Sequence, residues 1–373
     1  MEKVVLITPG HSPPFDTLIA LGLSTSVLNV DPEARLKINK IGNRYRLEVE
    51  TTADWLECSH YASSLLKFEA KYAELTNSGK LQYTLLPQPA IKPGTLKVLA
   101  KLLEESEMSP KDYLNPNHMS LLKEGRVGKK GKKDRYRRKV VYVQVAPWAG
   151  KFLAESYSSS VTEYVACPLC ICFAWVGLLS SVAVIAVREE KGIRVLYAAP
   201  DPIRSDEIDI ALLTTIFGEK CEIIPVRRDG WGSPPIVATP LLVLATGETM
   251  YPLKGDFGVI VWEHSRAGFF IGIKSQIHMP LKPLLDFIAR AKSEGRYLAA
   301  LVEFLGKKDV SVLSSIVECL AYGTPDPYSV VRSIWSCMAQ EEGAPNIFML
   351  ERSIIDSLYK TWLERYGAGG SWE

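Results

Sequence analysis

From Tyr164 to Val187 the chain carries no charged residue, in the run YVACPLCICFAWVGLLSSVAVIAV. A stretch of that length could cross a bilayer, so it decides between two kinds of protein. Three features argue against a span. Pro168 and Gly177 interrupt it. Ser180 and Ser181 divide it into a helix-like half and a β-branched half. The segment VAVIAV then continues through REEKG into IRVLYAA, which reads as two strands around a turn. The expected structure is a buried helix followed by a core strand, with no membrane contact.

Residues 126–139, RVGKKGKKDRYRRK, hold the opposite chemistry. The run has a net charge of +8, against +2 for the whole chain, which leaves a mildly acidic body. Such a dense local charge suits a polyanion contact better than a uniformly basic surface does. Gly128 and Gly131 let a loop follow a nucleic-acid backbone, and Tyr136 could stack on a base. The candidate nucleic-acid-binding residues are therefore Lys129, Lys130, Lys132, Lys133, Arg135, Tyr136, Arg137, Arg138 and Lys139. A solvated loop, or a contact with an acidic protein or lipid, is the alternative.

A hydrophobic content of 47% supplies sizeable cores. MEKVVLITPG is too short of apolar residues for a signal peptide, and seven cysteines are scattered at odd count. Both point to a reducing cytoplasm without a disulfide framework.

The chain begins with a strand at 4–8 and a helix at 15–28. ARLKINKI, Gly42-Asn43 and RYRLEVE form a hairpin that alternates apolar and polar residues, so one face is wet. Lys37, Arg44 and Arg46 would share that face, alongside Arg35, and are secondary nucleic-acid candidates. Asp54 can cap a helix over 55–76. Helices at 94–107 and 110–123 lead into the basic run and a strand at 140–146. SDEIDIALLTTIF (205–217) reads as a helix with Ser205 as its N-cap. EIIPV and LLVLAT read as buried strands, and FGVIVWEH with GFFIGIKSQ as a hairpin around Ser265–Gly268. From Pro280 onward, five helical runs follow. In the last, Leu350, Ile354, Ile355, Leu358 and Trp362 fall on one face.

The expected class is α+β: a mixed α/β N-terminal and central region with several β-hairpins, then a C-terminal helical bundle. The expected division is an α+β domain at 1–279 with a basic loop at 124–139, a bundle at 280–366 and a disordered tail at 367–373.

Cys167-Pro-Leu-Cys170-Ile-Cys172 offers a CxxC, but a structural zinc site wants four ligands and no second pair exists. Buried apolar cysteines fit best, with a metal pair or a redox pair as alternatives, and no metal is assigned. None of the five histidines sits in a motif of known mechanism. Asp54, Glu57 and His60 fall at i, i+3 and i+6, where only adjacent pairs share a face. P-loop, dinucleotide, nucleophile-elbow and HExxH motifs are all missing. No catalytic residue and no cofactor are assigned. Arg227 and Arg228, beside Trp231, are further secondary candidates for a nucleic-acid track.

The helix containing Leu18-Ile-Ala-Leu-Gly-Leu23 precedes a hairpin ending Tyr45-Arg-Leu-Glu-Val49. Ala166-Cys-Pro-Leu-Cys170 then leads into Phe173-Ala-Trp-Val-Gly-Leu178, and a helical region closes the chain. Together these resemble the large subunit of the archaeal type I-A CRISPR interference complex, Cascade. The resemblance implies a non-enzymatic cytoplasmic subunit in antiviral defence. Its partners would be guide RNA, target DNA, the other Cascade subunits and a helicase-nuclease. It would read the short motif beside the target and help open the duplex, while base pairing reads the sequence. Some related subunits carry a four-cysteine zinc site, and only a CxxC is present here. The rival readings are a membrane-associated or acidic-partner scaffold with a polybasic loop, and an unrecognised nucleic-acid-processing enzyme.

Overall fold

The structure is a computed structural model. It describes residues 2–10, 13–77, 93–105, 110, 114, 139–140, 165–189, 192–218, 221–225, 235–245, 253–267, 270–294, 298–339 and 347–367. The α+β class holds: a largely antiparallel sheet is followed by a helical C-terminal region.

Strand β1 (Glu2–Ile7) leads through a loop into helix α1 (Pro13–Val30). Strands β2 (Arg35–Ile41) and β3 (Arg44–Thr51) form the expected hairpin around Gly42-Asn43. Leu36 and Ile38 are buried while Lys37 faces out, and Tyr45, Leu47 and Val49 repeat the pattern on β3. The period-2 alternation therefore gave the correct wet face. Helices α2 (Trp55–Asn77) and α3 (Pro93–Glu104) pack against each other. Two short strands, β4 (Lys139–Val140) and β5 (Val165–Ala166), make a separate antiparallel pair. The helix expected at 110–123 lies outside the described residues apart from 110 and 114, and only the first residue of the strand expected at 140–146 is described.

The uncharged run becomes helix α4 (Pro168–Ser181) and strand β6 (Ala183–Glu189), as its serine break indicates. No helix among the described residues is long and apolar enough to cross a membrane. Strand β6 turns antiparallel into the long β7 (Gly192–Asp206). Helix α5 (Glu207–Gly218) and strand β8 (Cys221–Pro225) follow, with β8 parallel to β6. Ser205 is not the cap of α5. It is the second-last residue of β7, and Asp206 Oδ1 instead accepts from the Asp209 amide at 3.0 Å. LLVLAT is likewise not a strand, since helix α6 spans Pro235–Ala245. Nearly every side chain of α6 is buried, so the sequence shows no period to separate helix from strand. Strands β9 (Asp256–Ala267) and β10 (Phe270–Pro280) form the last hairpin. Its strands run through Ser265–Ala267, residues the sequence assigned to the turn.

Among the described residues, eight strands make one sheet. Its axis is β7, whose residues Leu196, Tyr197 and Ala198 are buried in succession, as are Val259 to Trp262 on β9. Consecutive burial means that both sheet faces are covered here, unlike the hairpin. One edge of β7 carries β9. The other carries β6 along Gly192–Ala198 and β2 along Arg204–Asp206. The sheet therefore forks at residues 199–203.

Helices α1 and α4 make the largest helix–helix contact in the molecule's described part. Residues Pro14 to Val27 of α1 are buried all round, as are most of α4. The helices cross at Gly22 and Gly177. A Cβ at Gly22 would sit 2.0 Å from the Phe173 carbonyl oxygen, and one at Gly177 2.1 Å from that of Leu18. Only glycine permits backbones to approach this closely.

The C-terminal helices are α7 (Lys282–Glu294), α8 (Leu298–Lys308), α9 (Val310–Tyr322), α10 (Pro327–Ala339) and α11 (Ile347–Trp362). Asp309 caps α9 by accepting from the Ser311 amide at 2.9 Å, and Gly323 ends it with φ +79°. On α11, Ile354, Ser357, Leu358 and Thr361 are buried, while Ile355 and Trp362 are half-buried. Helix α6 packs among α7, α8 and α9, so the helical region takes in one element from earlier in the chain.

Candidate nucleic-acid interface

The secondary candidates on the first hairpin are placed in detail. Register puts Lys37 opposite Glu48, Asn39 opposite Arg46, Arg35 opposite Glu50 and Ile41 opposite Arg44. Arg46 pairs with Glu48 at 3.1 Å, and Lys3 on β1 pairs with Glu50 at 3.3 Å. The wet face is therefore a mixed-sign surface. Each such exposed pair contributes about 0–1 kcal/mol, and a partnered cation attracts a phosphate less than a bare one does. Arg44 behaves differently. It packs against the β1–α1 loop, where a Cβ on Gly10 would meet its Nε at 2.6 Å. Of the three hairpin candidates, Lys37 keeps an exposed side chain without an ion pair among the described residues. Arg35 is in the same position on the same strand.

The principal candidates Lys129, Lys130, Lys132, Lys133, Arg135, Tyr136, Arg137 and Arg138 lie outside the described residues, as do Arg227 and Arg228. The backbone of Lys139 opens β4 and pairs with Ala166. Ala166 precedes Cys167, the N-cap of α4. Lys139, the last residue of the cationic run, is thus paired beside the start of α4.

The cysteine cluster sits at that same place. Cys167, Cys170 and Cys172 are all buried, and Cys172 Sγ donates to the Leu99 carbonyl at 3.5 Å. Burial pushes the Cys170 thiol well up, and the neighbouring Cys167 adds to the shift. Since the thiolate is both the metal ligand and the nucleophile, this environment disfavours both roles. The described residues hold no group of three or more His, Cys, Asp or Glu arranged for a metal. Cys58 and Cys319, each pushed up to about 12 by burial, are also core residues.

One cluster was not anticipated. At the fork of the sheet, buried Asp201 receives a hydrogen bond from Tyr45 Oη at 2.5 Å and a charge-assisted one from Lys40. Tyr45 Oη also shares a 2.6 Å hydrogen bond with Thr17 of α1. His278 of β10 brings Nδ1 within 3.8 Å of Asp201. Burial pushes the Asp201 carboxyl up. His278, Lys40 and Tyr45 outweigh it and hold the group below the usual carboxylate range. The network ties β2, β3, β7, β10 and α1 together where β7 changes partner. One sequence signal pointed to it. Lys40 continues the apolar row of Leu36 and Ile38, and a charge on a buried face requires a buried partner. The partner itself, 161 residues away, carried no signal.

A family model described as CRISPR-associated protein (Cas_Csa4) matches residues 4–344. The chain belongs to this family. The match spans nearly the whole sheet, the fork and helices α1 to α10, and ends before α11. The CRISPR system associated protein Cas8 of Thermoproteus tenax (strain ATCC 35583 / DSM 2078 / JCM 9277 / NBRC 100435 / Kra 1) is 23% identical over 354 residues. That alignment covers 91% of this chain and 94% of the relative, so the two are similar along almost their full length.

Proposed function

We propose that this chain is the large, non-catalytic subunit of a type I-A CRISPR effector complex, working in the cytoplasm of an archaeon. It contacts guide RNA and target DNA, reads the motif flanking the target, helps open the duplex and receives the helicase-nuclease. The observation that carries this reading is the family match over residues 4–344. Likeness along nearly all of a protein named Cas8 supports it. The cationic run supplies the chemistry: each Lys or Arg placed on a phosphate releases condensed counterions. Fixing Lys139 beside the N-terminus of α4 gives the run a firm base from which to reach a backbone. Arg35 and Lys37 extend the cationic surface on the hairpin, and Arg46 contributes less because Glu48 already holds it.

The test neutralises Lys129, Lys130, Lys132, Lys133, Arg135, Arg137 and Arg138 together. The expected result is weaker binding of guide RNA and target duplex, with an unchanged melting temperature. If four to six cations touch phosphates, the wild-type log–log salt slope for duplex is about −3.6 to −5.4, and the variant's slope is shallower. Tyr136→Ala should weaken binding by roughly 1–3 kcal/mol with little salt dependence if it stacks on an unpaired base. Wild-type affinity in the neutralised protein, alone and in the assembled complex, would remove the run from the interface.

A further inference from the structure

Helix α2 buries one acidic side chain that nothing answers. Trp55, Cys58, Ala62, Leu66 and Glu69 follow one another at spacings of three and four, which makes a single stripe. All five are buried, and Glu69 is only 4% exposed. Its Oε1 has no hydrogen-bond partner among the described residues. The turns on either side of it offer no cation, since Leu65, Leu66, Tyr72 and Ala73 hold the positions three and four residues away. Of the lysines on α2, Lys67 is held by Glu104 and Lys71 is exposed.

The helices packed against α2 are α3, α1 and α4, and none supplies a counter-charge. Helix α1 has one charged residue, Asp16, itself an acid, whose Oδ1 accepts from the Gly10 amide at 2.7 Å. Helix α4 has no charged residue, and its titratable groups are the buried thiols of Cys170 and Cys172. Both lysines of α3 are taken, Lys97 by Glu74 at 2.5 Å and Lys101 by Glu105 at 3.6 Å. An ionised carboxylate is strongly disfavoured in such surroundings, and a proton is what remains to neutralise it. Burial accordingly pushes the Glu69 carboxyl above its usual range.

We infer that Glu69 is a proton-sensitive contact built into the fold: with its proton it lets α2 stay packed on the neighbouring helices, and without it that packing loosens. A carboxyl that is harder to ionise in the folded chain costs nothing below its unfolded range near 4.5. It destabilises the fold increasingly as pH rises through the folded value. Alkaline conditions therefore weaken the core at α2. Carboxylates held by donors, such as Asp31 with Thr51 and Thr52, respond in the opposite direction. The inference does not rest on the proposed function.

The test compares the full chain with Glu69→Gln by urea denaturation from about pH 4 to about pH 9. The two midpoints should coincide at the acid end, where both side chains are neutral. The wild-type midpoint should then fall progressively below that of the variant as pH rises. Glu69→Met, neutral and without a polar atom to satisfy, is the second variant and should diverge from wild type in the same direction. Other titrating groups are common to all three proteins and cancel in the comparison. Hydrogen exchange should place the alkaline loosening in α2, as faster exchange of its amides in wild type than in either variant at the same pH. Infrared spectra at neutral pH should show a carboxylic-acid carbonyl band in wild type that both variants lack. Parallel stability profiles for the three proteins would overturn the inference. So would a wild type more stable than the variants at alkaline pH, because a cation would then hold the carboxylate, or a carbonyl band equally strong in all three. No nucleic acid enters these measurements, so the salt-slope result on the cationic run stands or falls separately.

Discussion

The pair α1–α4 and the pair α10–α11 are both helix contacts, but one is shut and the other is open. In the first, Gly22 and Gly177 let the backbones touch, and nothing larger than a hydrogen fits between them. In the second, Trp335, Ile334 and Ile355 line a small apolar cleft that remains beside the contact. Small residues at a crossing spend the whole surface on the fold itself. Large residues leave surface over, which becomes available to another molecule.

Substitutions at the two contacts should therefore differ most sharply in stability. Gly22→Ala places a methyl 2.0 Å from a carbonyl oxygen that belongs to another helix's backbone. No flexible side chain can yield, so the cost should reach or exceed the upper end of the roughly 1–3 kcal/mol typical of overpacking. Gly177→Ala should behave alike. Urea denaturation reads both, and an unchanged midpoint would mean the helices are not in contact.

Next in size comes the fork, which is closed by polar rather than apolar means. Asp201→Asn leaves Lys40 on a largely buried face without its counter-charge. Breaking such pairs costs roughly 3–5 kcal/mol when they are fully buried. Lys40 keeps 18% of its side-chain exposure, so the lower end is expected. Lys40→Met combined with Asp201→Asn should recover part of the loss. A double variant no better than the single would show that the ion pair itself contributes little.

A smaller effect should follow acidification at Asp31, beyond the closed end of α1. Its carboxylate accepts from Thr51 Oγ1 at 2.7 Å and from the Thr52 amide at 2.8 Å. Those bonds, the Thr51 hydroxyl foremost, lower its pKa from 3.8 to about 2. A folded pKa below the unfolded one means the stabilisation is complete above about pH 4 and is lost as pH falls towards 2. Asp31→Asn should flatten the stability profile across that window. A profile identical to wild type would remove Asp31 from the account.

The smallest effects belong to the open contact. Arg332→Glu and Tyr328→Ala should stay within about 0.5 kcal/mol of wild type, as surface changes generally do. A loss above about 2 kcal/mol at either residue would mean that its side chain packs into the fold.

The legibility of these regions in the sequence followed burial. The hairpin β2–β3 was readable because one face is wet and the alternation Leu36, Lys37, Ile38 survives in the letters. The serines at 180 and 181 marked the end of α4 correctly. Helix α6 was misread because VATPLLVLA is buried almost throughout, so its apolar run LLVLAT carries no helical period. Ser205 was misread because β7 runs on to Asp206, which is a matter of tertiary pairing with β2 rather than of local capping. On the hairpin, Lys37 and Arg46 were correctly placed on the wet face, but charge counting could not show that Glu48 neutralises Arg46. For the Asp201 cluster the letters held one local signal, Lys40 on the apolar row, and its partners on the four other elements meet it only in the tertiary fold.

The α1–α4 crossing also determines what a cut in the chain would do. The cationic run lies between these helices in sequence, so cleavage within 126–138 gives two fragments, each carrying one of the crossing helices. The first fragment supplies β1, β2, β3 and α1. The second supplies α4 and the strand β7 that β2 pairs with. A chain nicked there would migrate as two bands under denaturing conditions and as one particle in native buffer.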